Sequence, residues 1–565
     1  MRSDSSADRP DGVDARQAGT DAYPTLTAQQ RRRVDAFSQP EPVKLGQKLF
    51  QSGDAAVDLF FTDDAVVEIV HEGTHGAPEQ ILARFGPRQF VGELNVLTSQ
   101  HAFLTARVVV AGTVRRIPAD AFRRLLAQDA ELSEILVKML RARRSALLDS
   151  AGESVEIIGA ALSPETTSLR TYAARLAIPH RWYDNQSVIG AGILTQHQLQ
   201  PSDLPVAVVN GTVIPHATSA ALAQTLGLSY TIQNHLATTD LVVIGAGPAG
   251  LAAAVYGASE GLSTLLFDAV APGGQASSSA RIENYLGFPD GISGTTLTQL
   301  ALVQAMKFGA QIFAPCRVTA LAGGNQPYVV LEDGTRIQTT AIIVATGAQY
   351  RSLPLDRWQE FQRSGAIQYA ATELESRDCA GQPVTVLGGA NSAGQAALNL
   401  TAHQCPVNLV IRGTRLGDKM SDYLAQRVLA HPAITVRTAT EITALHGNET
   451  LTAVSLLDRS SGRSSIEPTT TLFCFIGAVP ATDWLSNLAR DPSGFMYTDA
   501  ALRSSDRRHG WTDRARRPLA FESSQPCVFA VGDVRCGSMK RVAAAVGEGA
   551  SAVASVHAAR AALHR

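Results

Sequence analysis

The fold of the largest part of this 565-residue chain is decided by residues 239–269, TDLVVIGAGPAGLAAAVYGASEGLSTLLFDA. An apolar strand runs into a glycine-rich turn, and a helix and a second apolar strand follow. In such a unit Gly245 allows the tight turn, Gly247 lets the backbone approach a pyrophosphate, and Gly250 lets the helix pack closely on the strand. Asp268 ends the second strand, where a carboxylate can hold the hydroxyls of an adenosine ribose. The stretch therefore predicts a Rossmann-like dinucleotide site.

A second unit of the same kind occupies residues 382–413, QPVTVLGGANSAGQAALNLTAHQCPVNLVIRG. Its turn and the start of its helix supply the residues predicted to contact the second nucleotide, which are Gly388, Asn391, Ser392 and Ala393. The second strand ends in Arg412, and a cation at that place favours the 2′-phosphate of NADPH over NADH. A solvated charge at a strand end is the alternative interpretation of Arg412. Two dinucleotide sites in one chain predict a hydride donor and a hydride acceptor bound together.

Composition excludes several classes of function. The net charge is −2, and obligatory nucleic-acid partners require a clear basic excess. We find no apolar run near the ~20 residues that a membrane-spanning helix needs, and the polar start lacks the pattern of a signal peptide. These features predict a cytoplasmic protein with no membrane association. No metal site is expected, because none of the 6 cysteines lies three positions from another.

Residues 1–24 read as a disordered lead-in, and residues 25–150 as short alternating strands followed by helices. The "QSGD" and "FVGELNVLT" segments, with Gly92 and Glu93, resemble cyclic-nucleotide-binding domains. In that family the glutamate binds a ribose hydroxyl and a later arginine pairs with the cyclic phosphate. Here His101 and Ala102 stand where the family has Pro-Arg, and Arg107 is displaced. Cyclic-nucleotide binding is therefore doubtful, because a buried phosphate needs a charged partner.

Residues 151–232 predict a small α/β domain that resembles glutaredoxins and thioredoxins, with Pro205 at the position of the family's cis-proline. The turn after its first strand reads LSPET and has no Cys-x-x-Cys. A thiol relay is impossible without thiols. This domain is expected to be a degenerate linker.

From residue 238 onward the chain resembles the low-molecular-weight thioredoxin reductases, through "GAGPAG", "PGGQ", "RIENYLGFP", "ATG", "FIGAVP" and "FAVGD" in that order. The resemblance implies an FAD-binding domain at 238–355 and 484–565, interrupted by an NADPH-binding domain at 356–483. The fold class is then multidomain: an amino-terminal β-roll with helices, a thioredoxin-like α/β domain, and two Rossmann-like α/β domains. The family is commonly dimeric, so a homodimer is expected.

The resemblance also implies FAD contacts, each on a matching position of this sequence. The predicted residues are Gly245, Gly247, Ala249, Gly250, Asp268, Gly274, Gln275, Asn284, Thr346, Gly347, Gly532, Asp533, Arg541 and Val542. Within this set Asp533 would take a ribityl hydroxyl, and Arg541 and Val542 would cover the edge of the isoalloxazine ring.

One departure from the family bears on function. The family's Tyr-Cys-Ala-Thr-Cys aligns with YAATE, residues 369–373, so Ala370 and Glu373 stand in the places of the redox cysteines. Cys379 lies six positions beyond Glu373 and is expected to have no partner. The route from flavin to thioredoxin through an internal disulfide is therefore closed. Glu373 is either a surface charge in the vacated slot or a proton donor or acceptor at the flavin.

Three functions stay open at this point. The leading one is an NADPH-dependent FAD oxidoreductase that passes electrons to an unidentified small-molecule or protein acceptor. The second is a non-catalytic sensor that reports the NADPH pool through its flavin and is controlled by the amino-terminal domain. The third is thioredoxin reduction in which the partner's own cysteines react at the flavin. Cys536, near the flavin edge, is a further candidate as a lone redox thiol.

Overall fold

The structure is a computed structural model, and it describes residues 20–563 except 56, 73–78, 99, 151–154, 162, 231–237, 280, 370, 372, 449, 507–510 and 512–515. The described residues form two compact units. The first contains those of 20–160, 169–230 and 303–315, and the second those of 161–168, 238–302 and 316–563.

The first unit begins with a β-roll of two four-stranded antiparallel sheets, ordered β1-β8-β3-β6 and β2-β7-β4-β5. The strands are β1 Gln39–Val43, β2 Lys48–Phe50, β3 Leu59–Thr62, β4 Val66–His71, β5 Gln80–Phe85, β6 Phe90–Val91, β7 Thr105–Val110 and β8 Gly112–Ile117. The helices are α1 Ala28–Asp35, α2 Asn95–Thr98, α3 Ala119–Gln128 and α4 Ala130–Ser150. Strand and helix residues share one apolar core, with Phe61, Phe90, Phe122 and Leu136 among its buried members.

The predicted lead-in is too long by several residues. Thr20–Ala22 form a 3₁₀ turn, and Ala22 is buried. The carbonyl of Ala22 accepts a hydrogen bond from Nε of Arg143 on α4 at 2.9 Å, and the Tyr23 ring lies 5.9 Å from that of Phe85. Because these contacts hold residues 20–24 on the β-roll, the description of 1–24 as a disordered lead-in is wrong for residues 20–24. Residues 1–19 lie outside the described part of the chain.

The next domain has the strand order of the thioredoxin fold, β10-β9-β11-β12, with β9 and β10 parallel and the other pairs antiparallel. Its elements are β9 Val155–Ile158, α5 Pro164–Arg175, β10 Arg181–Tyr183, α6 Val188–Gln196, β11 Val206–Val209, β12 Thr212–Ile214 and α7 Ser219–Thr225. The Leu204–Pro205 peptide is cis, as the resemblance implied. Of the LSPET segment, Leu162 lies outside the described residues, and the Ser163 hydroxyl caps the start of α5 by accepting from the amide of Thr166 at 3.2 Å.

In the second unit the central sheet of the first Rossmann-like domain runs β14-β13-β18-β17-β16. Strand β29 pairs with residues 342–344 of β18, beyond the residues of β18 that pair with β17. Strands β14, β13, β18 and β29 are parallel, which brings their carboxyl ends to one edge. The strands between residues 238 and 344 are β13 Thr238–Ile244, β14 Thr264–Phe267, β15 Gln311–Phe313, β16 Val318–Ala322, β17 Tyr328–Leu331 and β18 Arg336–Val344, of which β15 belongs to the first unit. The helices are α8 Pro248–Ser259 and α9 Gly294–Lys307.

The second Rossmann-like domain is built on a five-stranded parallel sheet, ordered β20-β27-β21-β22-β23, and carries an antiparallel sheet β24-β25-β26. A two-stranded ribbon, β19 with β28, joins it to the first. The strands are β19 Ala348–Tyr350, β20 Ile367–Gln368, β21 Val384–Leu387, β22 Val407–Val410, β23 Ile434–Arg437, β24 Thr440–Gly447, β25 Leu451–Asp458, β26 Ser464–Pro468, β27 Thr471–Cys474, β28 Ala478–Pro480 and β29 Val528–Ala530. The helices are α10 Trp358–Arg363, α11 Glu373–Asp378, α12 Asn391–Ala402, α13 Asp422–Ala430 and finally α14 Val542–Leu563. The architecture confirms the predicted fold class.

Helix α14 corrects one expectation from the sequence. By length and composition alone, Val542–Ala562 is apolar enough to cross a membrane, so the expectation of no such run is wrong. Its apolar character comes mainly from alanine, and the helix packs against α8. At Gly549 a Cβ would lie 2.0 Å from the carbonyl oxygen of Ala249, so only glycine permits this approach of the two helices.

This close packing gives a stability test. Gly549→Ala should lower the free energy of unfolding by about 1–3 kcal/mol, because α14 must move away from α8 to admit the methyl group. Gly547→Ala is the matched control, since Gly547 is exposed on the same helix with no atom within 4 Å of a new Cβ. That change should be neutral or stabilise by up to about 1 kcal/mol. Chemical denaturation followed by circular dichroism measures both variants, and equal stability would contradict the packing.

Candidate functional site

In the first glycine turn, two of the three glycines have no room for a Cβ atom, whereas the third faces open space. A Cβ at Gly245, where φ is 105°, would lie 2.4 Å from the Ala345 carbonyl oxygen. At Gly250 it would lie 1.8 Å from the carbonyl oxygen of Gly245. Above Gly247 the nearest atom to a new Cβ is 3.9 Å away. Since Gly247 directly precedes α8, this open space lies at a helix amino terminus, which suits a pyrophosphate.

Two further segments reach this turn. The PGGQ loop approaches it at Gly274, where φ is 55° and a Cβ would lie 2.8 Å from the α carbon of Gly247. The side-chain amide of Gln275 donates a hydrogen bond to the carbonyl of Ala348, next to the ATG segment. In that segment Thr346 donates to the carbonyl of Ala481 at 3.1 Å. The predicted residues of three separate motifs are therefore held around one space.

Asp268 supports the turn itself. One carboxylate oxygen accepts from the amide of Ala246 at 2.7 Å, and the other accepts from the amides of Val270 and Ala271 at 2.9 and 3.0 Å. A carboxylate has about four acceptor directions, so about one is left for a ribose hydroxyl. The predicted ligand carboxylate therefore also orders the loop beside it.

The turn after β29 places a carboxylate at the carboxyl edge of the sheet. Gly532 has φ 73°, and a Cβ there would lie 2.9 Å from that of Ala249. Asp533 is half-buried, and burial raises the pKa of its carboxyl group. It forms no hydrogen bond within the described part of the chain, so its oxygens are available to a ligand hydroxyl.

Glu548 on α14 fixes this turn and was missed by the sequence reasoning. It accepts a hydrogen bond from the amide of Gly532 at 2.7 Å and pairs with Arg535 at 2.7 Å. The two side chains are largely buried, at 12 and 19% exposure. The only signal was an acidic residue inside an alanine-rich helix, which does not indicate its partner 16 positions away.

Three predicted FAD contacts take no part in these close approaches. Asn284 is exposed and forms no hydrogen bond in the described part of the chain. Arg541 is exposed, and Val542 is the first residue of α14. Their roles as flavin contacts stay predictions.

The second glycine turn is built like the first. A Cβ at Gly388, where φ is 146°, would lie 2.4 Å from the carbonyl oxygen of Phe475. Ala390 caps α12, and Ala393 in its first turn is fully buried. Ser392 is exposed, while the side-chain oxygen of Asn391 accepts from the amide of Ser421 at 2.8 Å. The amino terminus of α12 thus follows a glycine turn, as that of α8 does.

Three exposed cations lie in the loop after β22, and this loop reaches the second turn at Lys419. Arg412 follows β22 and is exposed, and it forms no ion pair within the described residues. Arg415 and Lys419 in the same loop are also exposed and form no ion pair there, and Lys419 pairs as a β-bridge with Ala390 of the turn. The sequence reasoning named only Arg412, although the spacing of cations in RGTRLGDK was visible. Three unpaired cations fit the extra phosphate of NADPH better than one.

The YAATE stretch lies against the first Rossmann-like domain. Ala371 is buried and forms a parallel β-bridge with Ser279, four residues after Gln275 of the PGGQ loop. A second contact between the two domains is the ion pair of Arg427 with Glu283 at 3.0 Å. Ala370 lies outside the described residues, and Glu373 is the first residue of α11. A chemical role for the Glu373 side chain stays a prediction.

The cysteines bring one correction. Cys379 was expected to have no partner, but its sulfur lies 3.9 Å from that of Cys405, and both residues are buried. The chain returns after α12, so that the amide of Gly381 donates to the carbonyl of His403 at 3.0 Å and brings the two cysteines together. Cys474 is buried, and Cys536 is partly exposed without a neighbouring thiol in the described part of the chain. No cluster of metal-ligating side chains occurs among the described residues.

In the amino-terminal domain Glu93 already has a partner. Arg144 of α4 pairs with both of its carboxylate oxygens at 2.8 Å, and the two side chains are 3 and 12% exposed. Arg144 also donates to the side chain of Gln100 at 2.9 Å. Arg107 is occupied by Glu79 and Glu68 on the β-roll. The carboxylate that would bind a ribose hydroxyl is therefore held by the protein's own guanidinium.

The neighbouring Arg143 holds the backbone next to Glu93 in place. It donates to the carbonyls of Ala22, Phe90 and Gly92 at 2.9, 3.0 and 2.7 Å. Burial lowers its pKa to about 10, so the group stays charged at neutral pH. Two consecutive arginines of α4 thus bind the loop that carries Glu93.

We therefore expect no micromolar binding of cyclic AMP, measured by isothermal titration calorimetry on the full chain. Glu93 is engaged by Arg144, and Ala102 offers no charge to the cyclic phosphate. Arg144→Gln is the informative variant, because it frees Glu93 but still supplies no phosphate partner. Binding below about 10 μM, a free energy near −7 kcal/mol, would contradict this expectation.

Comparisons with known proteins agree with this geometry. A family model described as pyridine nucleotide-disulphide oxidoreductase matches residues 239–549, and one described as cyclic nucleotide-binding domain matches residues 40–129. The chain is 31% identical to a thioredoxin reductase of Treponema pallidum over 313 residues, which covers 55% of this chain and 94% of that protein. It is also 31% identical to NADPH-dependent thioredoxin reductase 3 of Arabidopsis thaliana over 323 residues, covering 56 and 57% of the two chains.

Among solved structures the chain is similar to a thioredoxin reductase of Lactococcus lactis. The TM-score is 0.50 at 27% identity, covering 57% of this chain and 98% of that one. The resemblances to thioredoxin reductases and to cyclic-nucleotide-binding domains are thereby confirmed. Since the matched region contains both glycine turns and the segments around them, this chain belongs to the pyridine nucleotide-disulphide oxidoreductase family, as a thioredoxin reductase-like NAD(P)H flavin oxidoreductase with an amino-terminal cyclic-nucleotide-binding domain.

Proposed function

We propose that this chain is an NADPH-dependent FAD oxidoreductase whose electron acceptor is not a dithiol of its own. The observation that carries the proposal is the position of YAATE. Its Ala371 lies beside Ser279, just after the PGGQ loop at the first nucleotide turn, where an internal dithiol would have to act. The two places for that dithiol hold Ala370 and Glu373, and neither side chain can exchange disulfides.

The residues of the first Rossmann-like domain fit FAD. The open space above Gly247 at the start of α8 would take the pyrophosphate, and the free acceptor direction of Asp268 would take the adenosine ribose. Asp533 would accept from a ribityl hydroxyl, and Glu548 holds its turn in place. When bound, NADPH supplies a hydride that FAD accepts and passes on as electrons.

The residues of the second domain would bind and orient NADPH. The start of α12 would face its pyrophosphate, and Arg412, Arg415 and Lys419 would neutralise the 2′-phosphate. These contacts would bind NADPH but would not determine which molecule accepts the electrons from the flavin. We propose a small-molecule or protein acceptor that reaches the flavin, in a cytoplasmic homodimer without membrane or nucleic-acid partners.

The amino-terminal domain gives little support to a sensor that responds to cyclic nucleotides, because Arg144 occupies Glu93. Thioredoxin reduction through the partner's own cysteines remains the alternative that the acceptor experiment must separate from the main proposal.

Nucleotide preference tests the second site. Arg412→Ala should weaken NADPH binding by about 1.5–3 kcal/mol, or roughly 10- to 150-fold in Kd, because a hydrogen-bonded charge is lost. Binding of NADH should not change, since NADH has no 2′-phosphate. Arg463→Ala is the control, an exposed arginine between β25 and β26 in the same domain. Equal preference for the two nucleotides in the unmodified protein would contradict the assignment.

The acceptor experiment compares ferricyanide with oxidised thioredoxin under NADPH, before and after alkylation of accessible cysteines of the reductase. Ferricyanide reduction should proceed and survive alkylation, because no thiol takes part. Thioredoxin reduction should be at background, and A370C with E373C together should create an alkylation-sensitive activity at this position. The outcome against the proposal is thioredoxin reduction by the unmodified chain that alkylation of the reductase abolishes.

A thioredoxin activity that resists alkylation of the reductase would instead identify the alternative in which the partner's cysteines act directly at the flavin.

A further inference from the structure

Cys379 and Cys405 form a buried pair of thiols in the core of the second Rossmann-like domain. The sulfurs lie 3.9 Å apart, and the residues are 4 and 0% exposed. The Cys405 thiol donates to the carbonyl of Cys379 at 3.1 Å, and the Cys379 thiol donates to the carbonyl of Ser376 at 3.6 Å. Neither cysteine belongs to the nucleotide sites described above.

Two backbone hydrogen bonds join the chain segment that follows Cys379 to the segment that contains Cys405. The amide of Gly381 donates to the carbonyl of His403 at 3.0 Å, and that of Val384 donates to the carbonyl of Pro406 at 2.9 Å. A disulfide needs its sulfurs about 2 Å closer than they are here. Because the two chain segments are already paired, rotation of the cysteine side chains supplies most of that approach.

We propose that Cys379 and Cys405 form an intradomain disulfide when the protein meets hydrogen peroxide. The sulfur of one cysteine attacks a peroxide oxygen, the O–O bond breaks, and a sulfenic acid and one water form. The second sulfur then attacks the sulfenic sulfur, the S–O bond breaks, and a second water leaves. Two thiols and one hydrogen peroxide thus give one disulfide and two waters, with two electrons passing from sulfur to the peroxide.

Burial decides which reagents reach this pair. It raises the pKa of the Cys379 thiol, so little thiolate is present at neutral pH and the reaction is slow. Bulky alkylating reagents are excluded from the folded domain, whereas hydrogen peroxide is close to water in size. Cys536, which is partly exposed and has no neighbouring thiol in the described chain, should stop at a sulfenic acid or a mixed disulfide.

The bond would join two parts of the domain that lie 26 positions apart in the chain. Cys379 directly follows α11, which begins at Glu373 in the YAATE stretch, and Cys405 lies between α12 and β22. A crosslink here reduces the freedom of the unfolded chain and should raise the unfolding temperature of the domain.

The test treats the cofactor-loaded full chain with hydrogen peroxide, quenches with acid, denatures, and labels free thiols with N-ethylmaleimide before peptide mass mapping. We expect a linked pair of peptides containing Cys379 and Cys405, lighter by two hydrogens, with labelling at both cysteines lost together and restored by reductant. Full labelling of both residues after Cys536 has been oxidised, or a link from Cys379 to another cysteine, would overturn the proposal.

Two variants sharpen the experiment. Cys405→Ala should abolish the link, leave Cys379 labelled, and remove the peroxide-induced rise in unfolding temperature. Cys474→Ala is the matched control, because Cys474 is 1% exposed and bonds to the carbonyl of Arg351 with no sulfur partner in the described chain. It should keep both the link and the rise. If Cys405→Ala does not fold, the peptide map of the unmodified protein decides alone.

Discussion

The close approach of Gly250 to the carbonyl oxygen of Gly245 determines where the amino terminus of α8 lies. A single Cβ at position 250 would lie 1.8 Å from that oxygen, so α8 can dock on its strand only because the atom is missing. The docked helix then points its amino terminus at the open space above Gly247. Helix α14 uses the same means at Gly549, and Gly532 lies within 2.9 Å of Ala249 by the same measure. At each of these three positions the absence of a Cβ atom allows two segments of the chain to pack in direct contact.

Features that depend on neighbouring residues could be predicted from the sequence. The glycine turns, the helices that follow them and the cis peptide before Pro205 each have local signals, because backbone conformation at such positions restricts the residue type. The carboxylate at Asp533 was also visible, since a strand and a glycine precede it. These signals predicted which strands, turns and helices carry the candidate residues, whereas the roles of those residues in binding FAD and NADPH stay predictions.

Contacts between distant residues were not predictable in this way. Arg144 lies 51 positions from Glu93, and Cys405 lies 26 from Cys379. Neither pair shows a pattern along the chain, because each depends on how α4 and α12 return to the sheets. Lys419 meets Ala390 for the same reason. The missed residues are thus partners of residues that the sequence did identify.

The ion pair of Arg144 with Glu93 has a consequence for how this chain could change over evolutionary time. For Glu93 and a phosphate partner to act together on a cyclic nucleotide, Glu93 must be released and a cation must stand near Ala102, which is 1% exposed. Removal of Arg144 alone leaves a buried carboxylate unpaired, and an arginine at 102 alone buries a charge with no anion to meet it. Each of these two changes made alone therefore lowers the stability of the folded domain. The ion pair thus couples position 144 to position 102, because a change at one becomes tolerable only together with a change at the other.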